Sequence, residues 1–215
     1  MSNGSFDFNE FIKDSKDVLV NPNYFSTMKL SGGMTEPLIK AVIYGAISGL
    51  ISFVWSILHL SVGGSLFGGA AGVTAFIFAI IGAVIGLFIG GVVLLILSAI
   101  CKGSTDFEPN VRVVSSLMVV MPINALLGFA TGLNLYLGLA VSLVVSLFAC
   151  WLTYKALVQA LKAKPETAKI VMFVVIAVFV LFMLFGLYTT RKASQFMNNF
   201  NSEELKELME QVPTE

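Results

Sequence analysis

The longest stretch without a formal charge runs from Ala41 to Cys101 and reads AVIYGAISGLISFVWSILHLSVGGSLFGGAAGVTAFIFAIIGAVIGLFIGGVVLLILSAIC. Residues 113–154 and 170–190 are two further blocks without Asp, Glu, Lys or Arg, so all 26 charged residues of the 215-residue chain lie outside the three blocks. Soluble domains carry charge on about a quarter of their residues. Uncharged stretches of this length therefore predict an integral membrane protein.

The overall composition agrees with this prediction. Hydrophobic residues make up 57% of the chain and charged residues 12%, and the formal net charge at pH 7 is zero. The lack of net basic charge argues against nucleic-acid binding. The two cysteines, Cys101 and Cys150, have neither the spacing nor the context of a metal site or a disulfide framework, and we predict no metal and no cofactor. We interpret both as small apolar residues, with palmitoylation of Cys101 as the alternative.

The lengths of the blocks give the number of membrane spans. A helix needs about 20 apolar residues to cross about 30 Å of hydrocarbon, so the blocks hold two, two and one spans. Turn residues place the breaks at residues 61–69 and 131–134. The runs are continuously apolar, which favours helices over the alternating strands of a barrel. The predicted fold is all-α, a polytopic membrane helix bundle with five transmembrane helices at about residues 38–60, 71–100, 112–130, 134–158 and 168–189.

The charged segments divide the chain into three parts and orient it. Residues 1–37 form an N-terminal segment with an amphipathic helix, 38–190 form the transmembrane domain, and 191–215 form an acidic tail in which Ser202 is predicted to cap a short helix. Ten Lys and Arg residues fall on the N-terminal side and three on the other, which predicts a cytoplasmic N-terminus and an external tail. The N-terminal helix fits either the membrane surface or the ends of the spans, and both interpretations stay open.

Small residues at a spacing of four predict where the helices approach each other closely. They are predicted to pack helices within the chain or to form an oligomerisation face, and they include Gly45, Gly49, Gly82, Gly86, Gly90, Gly138, Ser142 and Ser146. Pro122, in the third span, is predicted to kink its helix. Asn124 is predicted to hydrogen-bond a neighbouring helix or the backbone freed by the proline, with a polar cavity as the alternative.

The function is constrained by what the spans lack. No Asp, Glu, Lys or Arg lies near the centre of a span, which argues against ion coupling, and we find no acid–base pair that would support catalysis. His59 falls close to the outer end of the first span, where we expect an interfacial side chain. We predict a non-enzymatic scaffold or adaptor in membrane organisation, in contact with lipid and with its own copies or other membrane proteins. A passive channel or a lipid-moving protein is the alternative.

Four short motifs follow one another along the chain: Val18–Phe25 with Pro22, Gly32–Leu38, Lys102–Phe107, and Val111–Val114 followed by Pro122. In this order, and with five spans, the chain resembles the Yip (Ypt-interacting protein) domain family, in its prokaryotic form. The resemblance implies five helices and a cytoplasmic N-terminus. Eukaryotic members of that family act in vesicle traffic and associate with small prenylated GTPases. The chain lacks the family's frequent Tyr-Ala pair before Pro122 and has a short N-terminal segment, which argues against GTPase binding and favours a bacterial or archaeal plasma membrane.

Overall fold

The structure is a computed structural model that describes residues 6–58 and 64–210. Within these ranges every regular element is a helix. The helices are α1 (Phe8–Val20), α2 (Tyr24–Thr27), α3 (Thr35–Ile57), α4 (Gly64–Ile100), α5 (Phe107–Leu117), α6 (Val120–Leu127), α7 (Phe129–Leu133), α8 (Leu135–Gln159) and α9 (Pro165–Glu210). His59 and the start of the predicted connection at 61–69 lie outside the described residues.

Five helical stretches are long and apolar enough to cross a membrane. They are Thr35–Ile57, Phe76–Ile100, Phe107–Leu133, Tyr136–Gln159 and Pro165–Gly186. The predicted all-α class and the five spans are confirmed. The third span is divided among α5, α6 and α7, and the single residue Asn134 separates it from α8. The Asn134 side chain caps α8, since its Oδ1 accepts from the backbone N–H groups of Tyr136 and Leu137 at 2.8 and 3.2 Å.

Two predicted boundaries are wrong. The helix α4 begins at Gly64, so most of the glycine-rich segment expected to be a connection is helical. Glycine costs a helix only about 1 kcal/mol per residue relative to alanine, so a long helix can include several glycines. Ser202 does not start a helix, because α9 runs through it from Pro165 to Glu210. A helix that arrives from upstream already satisfies the N–H groups that an N-cap would serve.

The chain divides into two compact units, Met1–Met172 and Phe173–Glu215. The first unit contains α1 to α8 and the first turns of α9. The second contains the remainder of α9. The contacts described below all belong to the first unit.

Among the described residues, the most extensive contact between two helices of the first unit joins α3 to α4. Gly45 and Gly49 are buried, and a β-carbon added to Gly45 would lie 2.7 Å from Cβ of Ala83 and 3.0 Å from the carbonyl oxygen of Ala79. A β-carbon on Gly49 would lie 2.9 Å from the ring of Phe76. Only glycine permits this separation, and dispersion between the two backbones replaces the hydrophobic force that lipid does not supply.

The third span is interrupted at Met118 and Val119, between α5 and α6. Pro122 has no backbone N–H, and a proline ring clashes with the carbonyl four residues earlier in a helix, which for this proline belongs to Met118. That carbonyl instead accepts from the N–H of Met121 at 2.9 Å. The interruption therefore falls where the proline excludes the ordinary helical bond.

The N-terminal helix α1 packs on the first span. The Phe11 ring lies 5.1 Å from the Tyr44 ring, centroid to centroid, and Ser15 Oγ lies 2.7 Å from the Tyr44 hydroxyl. Two interpretations were left open for this helix, the membrane surface and the ends of the spans. For its Phe11 face, the structure shows packing on a span. On another side, Phe8 and Ile12 are 57% and 52% exposed, and they form no part of this contact.

Candidate functional site

Three polar segments meet at one end of the first unit: residues 21–34, residues 101–106 and residues 160–164. The Ser104 N–H donates to the carbonyl of Leu161 at 2.8 Å, and Nε2 of Gln159 donates to the carbonyl of Pro22 at 2.9 Å. A five-span chain must bring these segments to one side, because an even number of spans, either two or four, separates each pair. This polar end carries a cavity. It also carries the four ion pairs found in the part of the chain that the structure describes.

Two carboxylate–cation pairs form along single helices of this end. On α3, Lys40 Nζ lies 2.8 Å from Glu36 Oε1. On α5, Arg112 Nε lies 3.4 Å from Glu108 Oε1, an ion-pair contact rather than a hydrogen bond. Both pairs have the acid four residues before the base, the favourable order on a helix.

Contacts between segments join the two pairs into one group. Arg112 Nη1 donates to Glu36 Oε2 at 3.0 Å, and Lys40 Nζ donates to Asp14 Oδ2 of α1 at 3.1 Å. We call this group, which consists of Asp14, Glu36, Lys40, Glu108 and Arg112, the ion-pair network. The side chains of Lys40 and Arg112 are only 6% and 3% exposed. Burying a charge is costly unless it is paired, so the network is what allows both cations to lie inside the protein.

The ion-pair network also holds the loop before α3. Glu108 Oε1 accepts from the N–H groups of Gly32 and Gly33 at 2.8 and 2.6 Å, and Arg112 Nη2 donates to the carbonyl of Gly33 at 3.0 Å. The φ angles of Gly32 and Gly33 are +131° and +86°, which side chains rarely adopt. The Gly-Gly and Glu-Pro positions of the motif at 32–38 therefore meet α5 through Arg112 and Glu108.

A second cluster joins two connections between spans. Besides the bond from Ser104 to Leu161, the N–H of Lys164 donates to the carbonyl of Cys101 at 2.9 Å. We call residues 101–104 together with 161–164 the loop clasp. A β-carbon added to Gly103 would lie 2.6 Å from Ser98 Oγ and 2.8 Å from the Leu161 carbonyl, so this contact also depends on glycine.

Buried polar side chains complete the loop clasp. Ser98 Oγ donates to the carbonyl of Ser104 at 2.7 Å. The amide of Asn110 donates to the carbonyls of Ser104 and Asp106 at 3.2 and 2.7 Å, and Asn110 is fully buried. Carbonyl groups that follow the end of α4 thus find partners without water.

Cys101 is completely buried in the loop clasp, and burial raises the pKa of its thiol. A thiol in this position is not accessible to an acyl group, so palmitoylation of Cys101 is not compatible with the folded chain. The thiolate is the reactive form, and the raised pKa further lowers its fraction at neutral pH.

We predict that Cys101 reacts with a maleimide far more slowly than a free thiol in a Cys150→Ser protein, and that Gly103→Ala accelerates this reaction. The added methyl group overlaps Ser98 and the Leu161 carbonyl and must open the loop clasp. Overpacking of this kind costs about 1–3 kcal/mol. Labelling rates followed by intact mass spectrometry measure the effect, with Gly86→Ala as the control, since a β-carbon on Gly86 meets nothing within 4 Å. Equal rates in the two variants would contradict the prediction.

The structure separates the predicted small-residue positions into groups. Gly45 and Gly49 lie against α4, Gly90 lies against Val114 of α5, and a β-carbon on Gly138 would overlap Thr131 of α7. Ser142 and Ser146 are half-buried. Gly82 and Gly86 are exposed, with nothing within 4 Å of an added β-carbon at either position. Among the described residues, packing within the chain therefore involves Gly45, Gly49, Gly90 and Gly138, whereas Gly82 and Gly86 take no part in it.

Asn124, the other predicted polar position, lies on α6 with an exposed side chain. Within the part of the chain that the structure describes, this side chain makes no hydrogen bond. The carbonyl of its neighbour Ala125 accepts from the indole N–H of Trp55 at 3.0 Å. The polar contact between α3 and α6 is thus made by Trp55 and not by the asparagine.

The ion-pair network was not identified as a site from the sequence, which counted Lys40 and Arg112 only as charges that set orientation. A signal was present. Each of these two cations directly precedes a charge-free block, and each has a glutamate four residues before it. That spacing predicts the pairs within a helix, whereas the contacts with Asp14 and between Glu36 and Arg112 connect residues far apart in sequence.

The comparisons with known proteins identify one family. A family model described as the Yip1 domain matches residues 16–188. This range contains all five candidate spans and the ion-pair network except for Asp14. No curated protein and no solved structure matches the chain.

Proposed function

Because this chain belongs to the Yip1 domain family of membrane proteins, we propose that it is a non-enzymatic scaffold in the membrane, one that associates with a second copy of itself. In this proposal the side with the N-terminus and the ion-pair network faces the cytoplasm, as the distribution of Lys and Arg favours. The membrane is the plasma membrane of a bacterial or archaeal cell. The lipid bilayer is its immediate surroundings, and neither a cofactor nor a small GTPase is required.

The observation that carries the proposal is how the buried cations are used. Lys40 contacts Asp14 and Glu36, and Arg112 contacts Glu36 and Glu108. Transporters and pumps keep ionisable groups that exchange their partners during the cycle. Here each cation braces separate segments against one another, and the charge-free blocks supply no Asp, Glu, Lys or Arg deeper in the spans. A static brace suits a protein that works by shape and contact.

The contact with a second copy is assigned to α4. Gly82 and Gly86 are exposed on a helix whose other two described glycines, Gly90 and Gly91, lie against α5, and their spacing of four permits close approach of another helix. An interface between identical α4 helices would be isologous and closed, which is the commonest symmetry of small oligomers.

Photobleaching of single labelled molecules in liposomes tests the proposal. We expect two-step bleaching for the wild-type protein and mainly one-step bleaching for Gly82→Leu/Gly86→Leu. The matched control is Gly186→Leu, a position that is also exposed and open and that should leave the dimer intact. One-step bleaching of the wild-type protein at every lipid dilution would refute the association.

A lipid-moving or channel function is the second candidate, and the exposed amide of Asn124 favours it. This amide is exposed on a span, near the interruption at Met118 and Val119. It would give a lipid headgroup or water a polar contact within the membrane. Liposomes that report ion flux and lipid scrambling distinguish the candidates. Flux above that of protein-free vesicles, abolished by Asn124→Leu, would replace the scaffold proposal with this one.

A further inference from the structure

A cavity of about 510 Å³ lies between α1, the loop before α3 and the beginnings of α3 and α5. This volume is within the usual range for small-molecule sites, about 300–1,000 Å³. Charged side chains of both signs line it: Asp7, Glu10, Asp14, Lys29, Glu36, Lys40 and Arg112. The mixture of charges excludes an apolar ligand and favours one with separate positive and negative groups.

The charges of the cavity differ in how far they are already paired. Lys40 and Arg112, which are buried, have carboxylate partners in the ion-pair network. Lys29 and Glu10 are exposed, and among the described residues neither forms an ion pair. Asp7 is exposed as well, but its carboxylate caps α1 by accepting from the N–H groups of Asn9 and Glu10. At its exposed part the cavity therefore presents one cation, Lys29, and one carboxylate, Glu10, that have no ion-pair partner and no capping role, above a floor of buried, paired charges.

The level of the cavity relative to the membrane follows from the sequence blocks. Lys40 directly precedes the first charge-free block and Arg112 the second, so the floor lies where the apolar parts of two spans begin. The helix α1, which forms one wall, contacts Tyr44 inside the first block. Its Phe8 and Ile12 are exposed at the same level, as in helices that lie at the headgroup boundary. Lipid headgroups occupy this level.

We propose that this cavity binds the headgroup of a zwitterionic phospholipid with a primary amine, of the phosphatidylethanolamine class, with the phosphate at Lys29 and the ammonium at Glu10. A phosphate accepts charge-assisted hydrogen bonds from a lysine. A primary ammonium has three donors for carboxylates, whereas a quaternary choline ammonium has none. An anionic headgroup such as phosphatidylglycerol leaves the carboxylates of α1 without a counter-charge and is repelled by them.

Native mass spectrometry of the full chain in detergent, titrated with phosphatidylethanolamine, phosphatidylcholine or phosphatidylglycerol, tests the assignment. We expect the first lipid to bind about tenfold more tightly than the other two, the effect of one charge-assisted hydrogen bond. Glu10→Gln should remove this preference while leaving the binding of phosphatidylglycerol unchanged or stronger. Lys29→Gln should weaken binding of all three lipids.

The controls use charges of α1 that do not line the cavity. Asp17→Asn is matched to Glu10→Gln and Lys16→Gln to Lys29→Gln, and neither control should alter the preference among lipids. All four positions are on or near the surface, and unchanged melting temperatures show that the variants fold. Equal binding of the three lipids, or equal effects of Glu10→Gln and Asp17→Asn, would overturn the proposal. Displacement of the lipid by free phosphoethanolamine at equal concentration would assign the site to a soluble ligand instead.

Discussion

Arg112→Met is expected to lower the free energy of unfolding by about 2–4 kcal/mol, because it removes the one side chain that contacts Glu36, Glu108 and the Gly33 carbonyl together. Breaking a buried ion pair by removing one partner costs about 3–5 kcal/mol. The expected value is somewhat smaller, since the side chains of Glu36 and Glu108 are 42% and 37% exposed and retain access to water. Unfolding with SDS in mixed micelles, followed by circular dichroism, measures the change.

Two comparisons show whether the effect belongs to the ion-pair network. Lys13→Met removes an exposed cation of α1 and should change stability by less than about 0.5 kcal/mol. Arg112→Lys keeps the charge but loses the planar fork that reaches several acceptors, so it should fall between Met and the wild type. In a Glu36→Gln background the cost of Arg112→Met should shrink, because contacting residues are not additive. Costs for Arg112→Met and Lys13→Met that agree within error would show that the network contributes no stability.

Gly45→Ala is the substitution with the other large expected effect, a loss of about 1–3 kcal/mol, and Gly45→Leu should prevent the native packing of α3 on α4. The β-carbon would lie 2.7 Å from Cβ of Ala83 and 3.1 Å from Cα of Ile80. The backbone of α4 cannot yield as a flexible side chain would, so the helices must separate and lose dispersion along their whole contact.

Gly82→Ala provides the matched control for this second prediction, because it makes the same chemical change on the partner helix at a position with nothing within 4 Å. Alanine favours helix over glycine by about 0.5–1 kcal/mol, so Gly82→Ala should leave stability unchanged or raise it. The two substitutions are thus expected to differ in sign when unfolding is measured under identical conditions in a monomeric state. A loss of equal size at both positions would mean that the α3–α4 approach does not account for the cost of Gly45→Ala.

Much of the architecture could be predicted because its signals are local. Charge-free blocks of sufficient length require lipid burial, and their lengths divide into five spans. The break predicted at residues 131–134 contains the observed one, but it is too long, because residues 131–133 belong to α7 and only Asn134 lies between α7 and α8. The glycine-rich segment at residues 61–69 was expected to be a connection because glycine favours turns, whereas α4 already begins at Gly64; glycine lowers helix propensity without preventing a helix.

The small-residue series shows where such reasoning stops. Gly45, Gly82 and Gly86 share the same spacing pattern and the same residue type, yet Gly45 lies against α4 and the other two face outward. A helix has several faces, and the sequence of one chain does not indicate which of these faces a neighbouring helix covers. The same limit applied to Asn124, whose expected hydrogen bond depended on which helix stood beside it.

The sequence by itself determined the class of the protein, the number of its spans and the family to which its motifs are similar. These properties follow from the transfer of uncharged helices into lipid, which depends on composition along the chain and not on partners. Only the tertiary structure decided that Asp14, Glu36, Lys40, Glu108 and Arg112 form one group, and that the motifs around Gly32, Gly103 and Arg112 converge on one polar end. Ion pairs between residues up to 76 positions apart depend on how the spans are arranged, and short-range patterns carry no information about that arrangement.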